Sequence, residues 1–237
     1  MKANRNLLPT VVAAALALAA PAVLAATGSV AQLSGTLSVK KPDGTVRILS
    51  RQSEVHNGDL LNTERDSYAQ IRFSDGAQVT MKPNTSIHVV NIRFAEQKPQ
   101  EDSFVYALLR GGMRAVTGLI GKRSQDKYEV GTATGTIGIR GTTFAADDCA
   151  SNREGDCRRL DPAVYVTVSD GEVVLKNAQG EVGIAAGQFG LIAPNQRPLF
   201  LSTDPGLQFT PPATFIQSVM AGSAVNTGRN LECVVRK

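Results

Sequence analysis

The residues able to do chemistry are few and scattered. Only two histidines occur, His56 and His88, on separate predicted β-segments. The three cysteines are Cys149, Cys157 and Cys233. A Cys–His nucleophile pair needs a thiol and an imidazole within hydrogen-bond reach, and no spacing here singles one out, so no catalytic residue and no enzymatic activity is expected. Zinc wants Cys and His in close spacing, and the two near cysteines have no histidine beside them. Asp147, Asp148, Glu154 and Asp156 supply the hard oxygens calcium prefers, but their spacing is not that of an EF-hand, and a charged surface loop is the simpler reading. No metal and no cofactor is expected.

The most unusual stretch is Thr132 to Phe144, TATGTIGIRGTTF. Gly135, Gly138 and Gly141 form GxxGxxG, which is neither a dinucleotide fingerprint nor a P-loop. Glycines inside a strand mark a close backbone approach or a tight bend. Arg140, among apolar neighbours, is expected to satisfy backbone carbonyls or a carboxylate inside a tight corner.

The elements that must position these residues are strands. Ala69, Ile71 and Phe73 alternate with polar residues, Asp75-Gly76 follows, and Val79 and Met81 resume the alternation. Such a pattern predicts a hairpin. The same grammar surrounds Pro42-Asp43-Gly44, Asp170-Gly171 and Gln179-Gly180. An offset of 136 places Gly35 on Gly171, Lys40 on Lys176, Gly44 on Gly180, Val46 on Val182 and Ile48 on Ile184, which points to a repeated β-unit. The expected fold class is all-β, a short twisted solenoid-like or sandwich-like domain.

The ends differ from the middle. Lys2 and Arg5, an apolar run from Leu7 to Leu24 and the small-residue end Val23-Leu24-Ala25 describe a secretory signal peptide over residues 1–25. Its removal lowers a net charge of +4, and the short patch of Lys122, Arg123 and Lys127 reads as a solvated loop, so nucleic acid is not an expected partner. No later segment is apolar enough for a membrane span. Export favours disulfides. Three cysteines allow three single pairings, of which Cys149–Cys157 within one polar loop is expected, leaving Cys233 odd. The β-domain is placed at residues 26–195. Residues 196–237 form a proline-rich extension, in which Phe215, Ile216, Val219 and Met220 share the face of one short helix.

Several stretches, taken in order, resemble the FecR domain of exported bacterial proteins. These are Asn57-Gly58-Asp59-Leu60 with Thr63, AQIRFSDGAQV from Ala69 to Val79, LLRGGMRA from Leu108 to Ala115, the GIRGT of 138–142, Val166 to Val173, and Gly187-Gln188. The resemblance spans roughly residues 30–195 and implies an all-β periplasmic domain. In the regulators that name the family, such a domain lies outside an inner-membrane anti-sigma factor and helps relay a signal from an outer-membrane transporter. This chain is read without their cytoplasmic domain, membrane helix or C-terminal signalling subdomain, so direct sigma-factor control is not expected. The expected role is a binding or signal-relay module for an envelope protein, in the periplasm or else at the cell surface. The alternative is a structural module that binds envelope polysaccharide or peptidoglycan. Candidate contact residues are Asp75, Gly76, Arg140, Gly141 and Thr142.

Overall fold

A computed structural model describes residues 27–207, 209–213 and 215. The signal segment, most of the expected C-terminal helix and Cys233 lie outside the described residues.

Among the described residues the elements that shape the fold are, in order, fifteen strands and a short α-helix that follows the ninth strand. They are β1 (Gly28–Ser34), β2 (Leu37–Lys40), β3 (Val46–Leu49), β4 (Glu54–Val55), β5 (Leu60–Thr63), β6 (Tyr68–Phe73), β7 (Gln78–Met81) and β8 (Ser86–Arg93). Then come β9 (Ser103–Val116), α1 (Leu119–Arg123), β10 (Tyr128–Gly131), β11 (Thr136–Asp148), β12 (Val164–Asn177), β13 (Gly180–Ala185), β14 (Phe189–Ile192) and β15 (Leu199–Leu201). The fold is all-β. Among the described strands every pairing is antiparallel except β9 with β10.

All the strands belong to one sheet, which folds over on itself because three strands are too long to serve one side. The first part of β9 pairs with β8 and β10, and its second part with β7 and β11. β11 pairs with β10 before Arg140 and with β9 from Thr143 onward. β12 follows β11 throughout, pairing with β14 before the bend and β13 after it. One half of the sheet therefore runs β4-β1-β6-β7-β9-β11-β12-β14-β15. The other runs β3-β2-β5-β8-β9-β10-β11-β12-β13.

The halves enclose one core, in which Leu37, Leu61 and Ile87 from one side meet Ile71, Val79 and Met113 from the other. Aromatic rings knit them: Phe73 meets Phe104 edge-on at 5.1 Å, and Phe104 stacks on Tyr128 at 4.3 Å.

The expected hairpins at 42–44, 75–76 and 179–180 are all present. Asp170-Gly171 is different. It reads as a turn, yet β12 runs straight through it, and the pair register with β11 shifts between Arg140 and Thr143. The two strands bulge together here. Gly141 takes φ +64 and Gly171 φ +78, and a Cβ on Gly171 would lie 2.3 Å from the Gly141 carbonyl oxygen. Only glycine permits both the left-handed backbone and that approach, so the paired bulge turns the ribbon from one half of the sheet to the other.

Candidate functional site

The two candidate segments, far apart in sequence, meet on one short piece of chain. Residues 117–121 lead from β9 into α1. Asp75 reaches them from the β6–β7 turn: its Oδ1 accepts from the Ala77 amide at 2.9 Å, its Oδ2 from the Ile120 amide at 3.3 Å, and its carbonyl from the Leu119 amide at 3.0 Å. Asp75 thus closes its own turn and caps α1 with one side chain. Burial pushes its carboxyl above the usual range, against the pull of the Ala77 and Ile120 amides. Gly76, beside it, is exposed.

Thr142 reaches the same piece from the other side. Its amide donates to Thr117 Oγ1 at 2.9 Å, its carbonyl accepts from the Thr117 amide at 3.1 Å, and its hydroxyl donates to the Glu172 carbonyl at 2.7 Å. Asp75 and Thr142 therefore brace the corner from within and are buried.

Arg140 departs from its expected place. Its side chain is 55% exposed, and its contact is a loose 3.7 Å approach to Glu172 Oε2. On β11 the buried neighbours Ile137 and Ile139 take the inward face, so alternation turns Arg140 outward. The role of satisfying a carboxylate and backbone carbonyls falls instead to Arg123, a surface residue that sequence reasoning placed in a solvated loop and that anchors the buried Asp102. Its guanidinium binds both Asp102 oxygens, at 2.9 and 3.0 Å, and donates to the Ala95 and Glu96 carbonyls. It also lies 4.7 Å from the centre of the Phe94 ring. Burial would raise the Asp102 carboxyl, but Arg123, the Ala95 amide and Ser124 together hold it below the usual range.

Beside this corner lies an open trough of about 650 Å³. Its floor is the outward face of β10, β11 and β12 around Glu129, Gly138 and Val174. Lys122, Arg140, Lys176 and Glu181 stand at the rim. Of the candidate residues, Arg140 alone lines it. Glu129, Lys176 and Glu181 were not singled out from sequence, although alternation along β10 to β13 puts them on one face. The chemistry available is ion pairing and hydrogen bonding, with one small apolar spot at Gly138 and Val174.

The other outer face is covered. Cys149 and Cys157 form a disulfide, and their loop packs with Tyr165, Leu191, Leu201 and Leu207 in a second, smaller core. The proline-rich segment then crosses the strands: Phe209 lies 5.8 Å from Lys82 Nζ, the Thr210 carbonyl accepts from the Tyr68 hydroxyl, and Phe215 sits against the Tyr68 ring. Beneath it Lys82 pairs with Asp147 at 2.6 Å, both largely buried. The acidic residues considered for calcium have protein partners: Asp147 has Lys82, Asp148 accepts from the Ala150 and Ser151 amides, and Glu154 accepts from Asn84. Among the described residues no group of three His, Cys, Asp or Glu side chains converges to hold a metal. Nor is any described helix long and apolar enough to cross a membrane.

An all-β domain folded around paired glycine bulges, with the GIRGT segment at its corner, defines a recognisable class. Residues 59–174 match the family model described as FecR protein, and this stretch of the chain is a FecR domain. Two solved structures from Parabacteroides distasonis, each provisionally described as an anti-sigma factor, are similar at 14% identity. Their TM-scores are 0.46 and 0.45, over 62% of this chain and 60% of theirs, so the chain spans less than two thirds of their length. A third, described as a cell surface anchoring domain, has a TM-score of 0.26 and 24% identity, over 26% of this chain and 82% of its own. No curated protein matches the chain.

Proposed function

We propose that this is an exported protein whose FecR domain acts in the periplasm as a binding and signal-relay module for an envelope protein, without catalysis. The observation that carries this reading is the open face beside the signature corner. There Arg140 and Lys176 stand exposed in loose ion pairs around the small apolar spot of Gly138 and Val174, in a largely polar and charged surface of the kind that forms the rim of a protein interface. The FecR domain match supports a role in signalling, and the signal-peptide pattern supports export.

The polysaccharide alternative draws less support. Sugar sites favour exposed aromatic platforms, and this chain has no tryptophan and four tyrosines. Tyr106 and Tyr128 are in the core, Tyr165 is buried under the disulfide loop, and Tyr68 is engaged by Phe215.

Affinity capture of the mature protein from crosslinked periplasm and envelope, read by mass spectrometry, tests the proposal. Recovery of a membrane receptor, transporter or regulator supports relay. Recovery of cell-wall polymer alone replaces it with the structural module.

A further inference from the structure

Neither backbone angle nor crowding requires a glycine at 138. Its φ is not in the left-handed region, and a Cβ built there would meet nothing nearer than the Val174 carbonyl oxygen at 3.7 Å and Val174 Cβ at 3.9 Å, ordinary contact distances. Its neighbours in the same segment are held to glycine by the structure: at Gly135 a Cβ would press to 2.4 Å from the Lys176 carbonyl oxygen, and Gly141 is the bulge. Glycine inside a strand weakens it, and it marks a bend or the close approach of another group. There is no bend at 138, since β11 keeps unbroken register with β10 and β12 from Thr136 to Arg140. What remains is approach from outside.

The outside is the trough. In register, Gly138 lies between Glu129 on β10 and Val174 on β12. Arg140 follows two residues along β11, and Lys176 stands opposite Thr136. Both cations hold their carboxylates loosely, at 3.7 Å to Glu172 and 3.9 Å to Glu181, with every side chain in these pairs about half exposed or more. Pairs so wet contribute little and re-partner easily. The small apolar spot of Gly138 and Val174, beside Glu129 and between these two loosely paired cations, favours an aromatic ring over an aliphatic chain. The body of either rests on Val174 and the bare peptide, but only a π face also attracts the cations.

We propose that the trough over Gly138 seats an aromatic side chain of the protein partner, with Arg140 and Lys176 at its ring. This rests on the binding role proposed above and names the partner group that role would recognise.

Because the chain contains no tryptophan, a tryptophan probe is read without background. The probe is acetyl-Ser-Trp-Ser-amide, with acetyl-Ser-Ala-Ser-amide as control, each titrated to about 10 mM, which reaches weak millimolar binding, against the isotope-labelled full chain. The expected result is a shift of the Gly138, Val174 and Lys176 amide resonances with the tryptophan peptide and not with its control. Gly138→Val should abolish the shift without lowering Tm, and Arg140→Gln should weaken it by about twofold to fivefold. No shift at that concentration, equal shifts with both peptides, or a shift that survives Gly138→Val would overturn the proposal. Envelope capture separates the two readings. If Gly138→Val still captures the partner that the unsubstituted chain captures, the site falls and the binding role stands. If the unsubstituted chain captures no protein, the binding role itself falls.

Discussion

The two outer faces of this folded sheet are built from the same strands and finished in opposite ways. On one, the chain covers itself: a disulfide loop with Leu207, and Phe209, Thr210 and Phe215, lie against the strands, over the buried Lys82–Asp147 pair. On the other, Glu129, Arg140, Lys176 and Glu181 stand exposed around a glycine that the backbone does not require. The covered face resembles core and should answer to substitution in stability. The open face carries side chains that the fold can lose, so substitution there should be felt in binding.

The largest effect should come at the bend that joins the faces. Gly171→Val drives a side chain into the Gly141 carbonyl at a left-handed backbone position and should cost about 3–5 kcal/mol, read as a fall in urea midpoint. Next comes the covered face. Lys82→Met strands Asp147 without its charge partner and should cost about 3 kcal/mol. Burial already raises the Asp147 carboxyl despite Lys82. A carboxyl whose folded pKa exceeds its unfolded value costs stability above that folded pKa and ceases to do so below the unfolded one. The deficit of Lys82→Met should therefore shrink as pH falls towards the unfolded value near 3.8, which denaturation across an acid series would show.

Removing the disulfide with Cys149→Ser and Cys157→Ser together should cost about 2–3 kcal/mol, the entropy of a short closed loop, measured as the same midpoint. The smallest effect has the opposite sign. Gly138→Ala on the open face should gain about 0.5–1 kcal/mol, because a strand glycine is replaced where there is room. A clear loss there would break the contrast between the faces.

Much of the architecture was legible because turn glycines and period-two alternation are local signals. Asp75-Gly76 reads as a hairpin and is one. Asp170-Gly171 carries the same signal, but its meaning depends on a distant strand: opposite Gly141 it becomes a bulge. The internal echo shows the limit more sharply. Residues 37–49 and 173–185 both form hairpins, yet Leu37 pairs with Leu49 while Val173 pairs with Ile184, one residue short of the offset. The first loop holds five residues and the second two, and a one-residue slip turns every side chain over. Val46 and Ile48 are consequently 65% and 70% exposed, while their counterpart Ile184 is buried and Val182 packs against the core.

The candidate contact residues divide in the same manner. Asp75 and Thr142 were identifiable by type, but their convergence on residues 117–121 is tertiary. The contacts expected of Arg140 are made by Arg123, also at the surface, which sequence could not single out because α1, five residues long, is too short for a periodic signal. The trough residues Glu129 and Lys176 share a face only once β10, β11 and β12 are set in register.

The most direct test of the account is photocrosslinking in living cells, with a photoreactive phenylalanine analogue placed at Thr136 on the open face or at Tyr68 on the covered one. The account predicts protein adducts from Thr136 and none from Tyr68. Adducts from Tyr68 with none from Thr136 would show that the partner binds the face the chain was thought to cover for itself, and would contradict it.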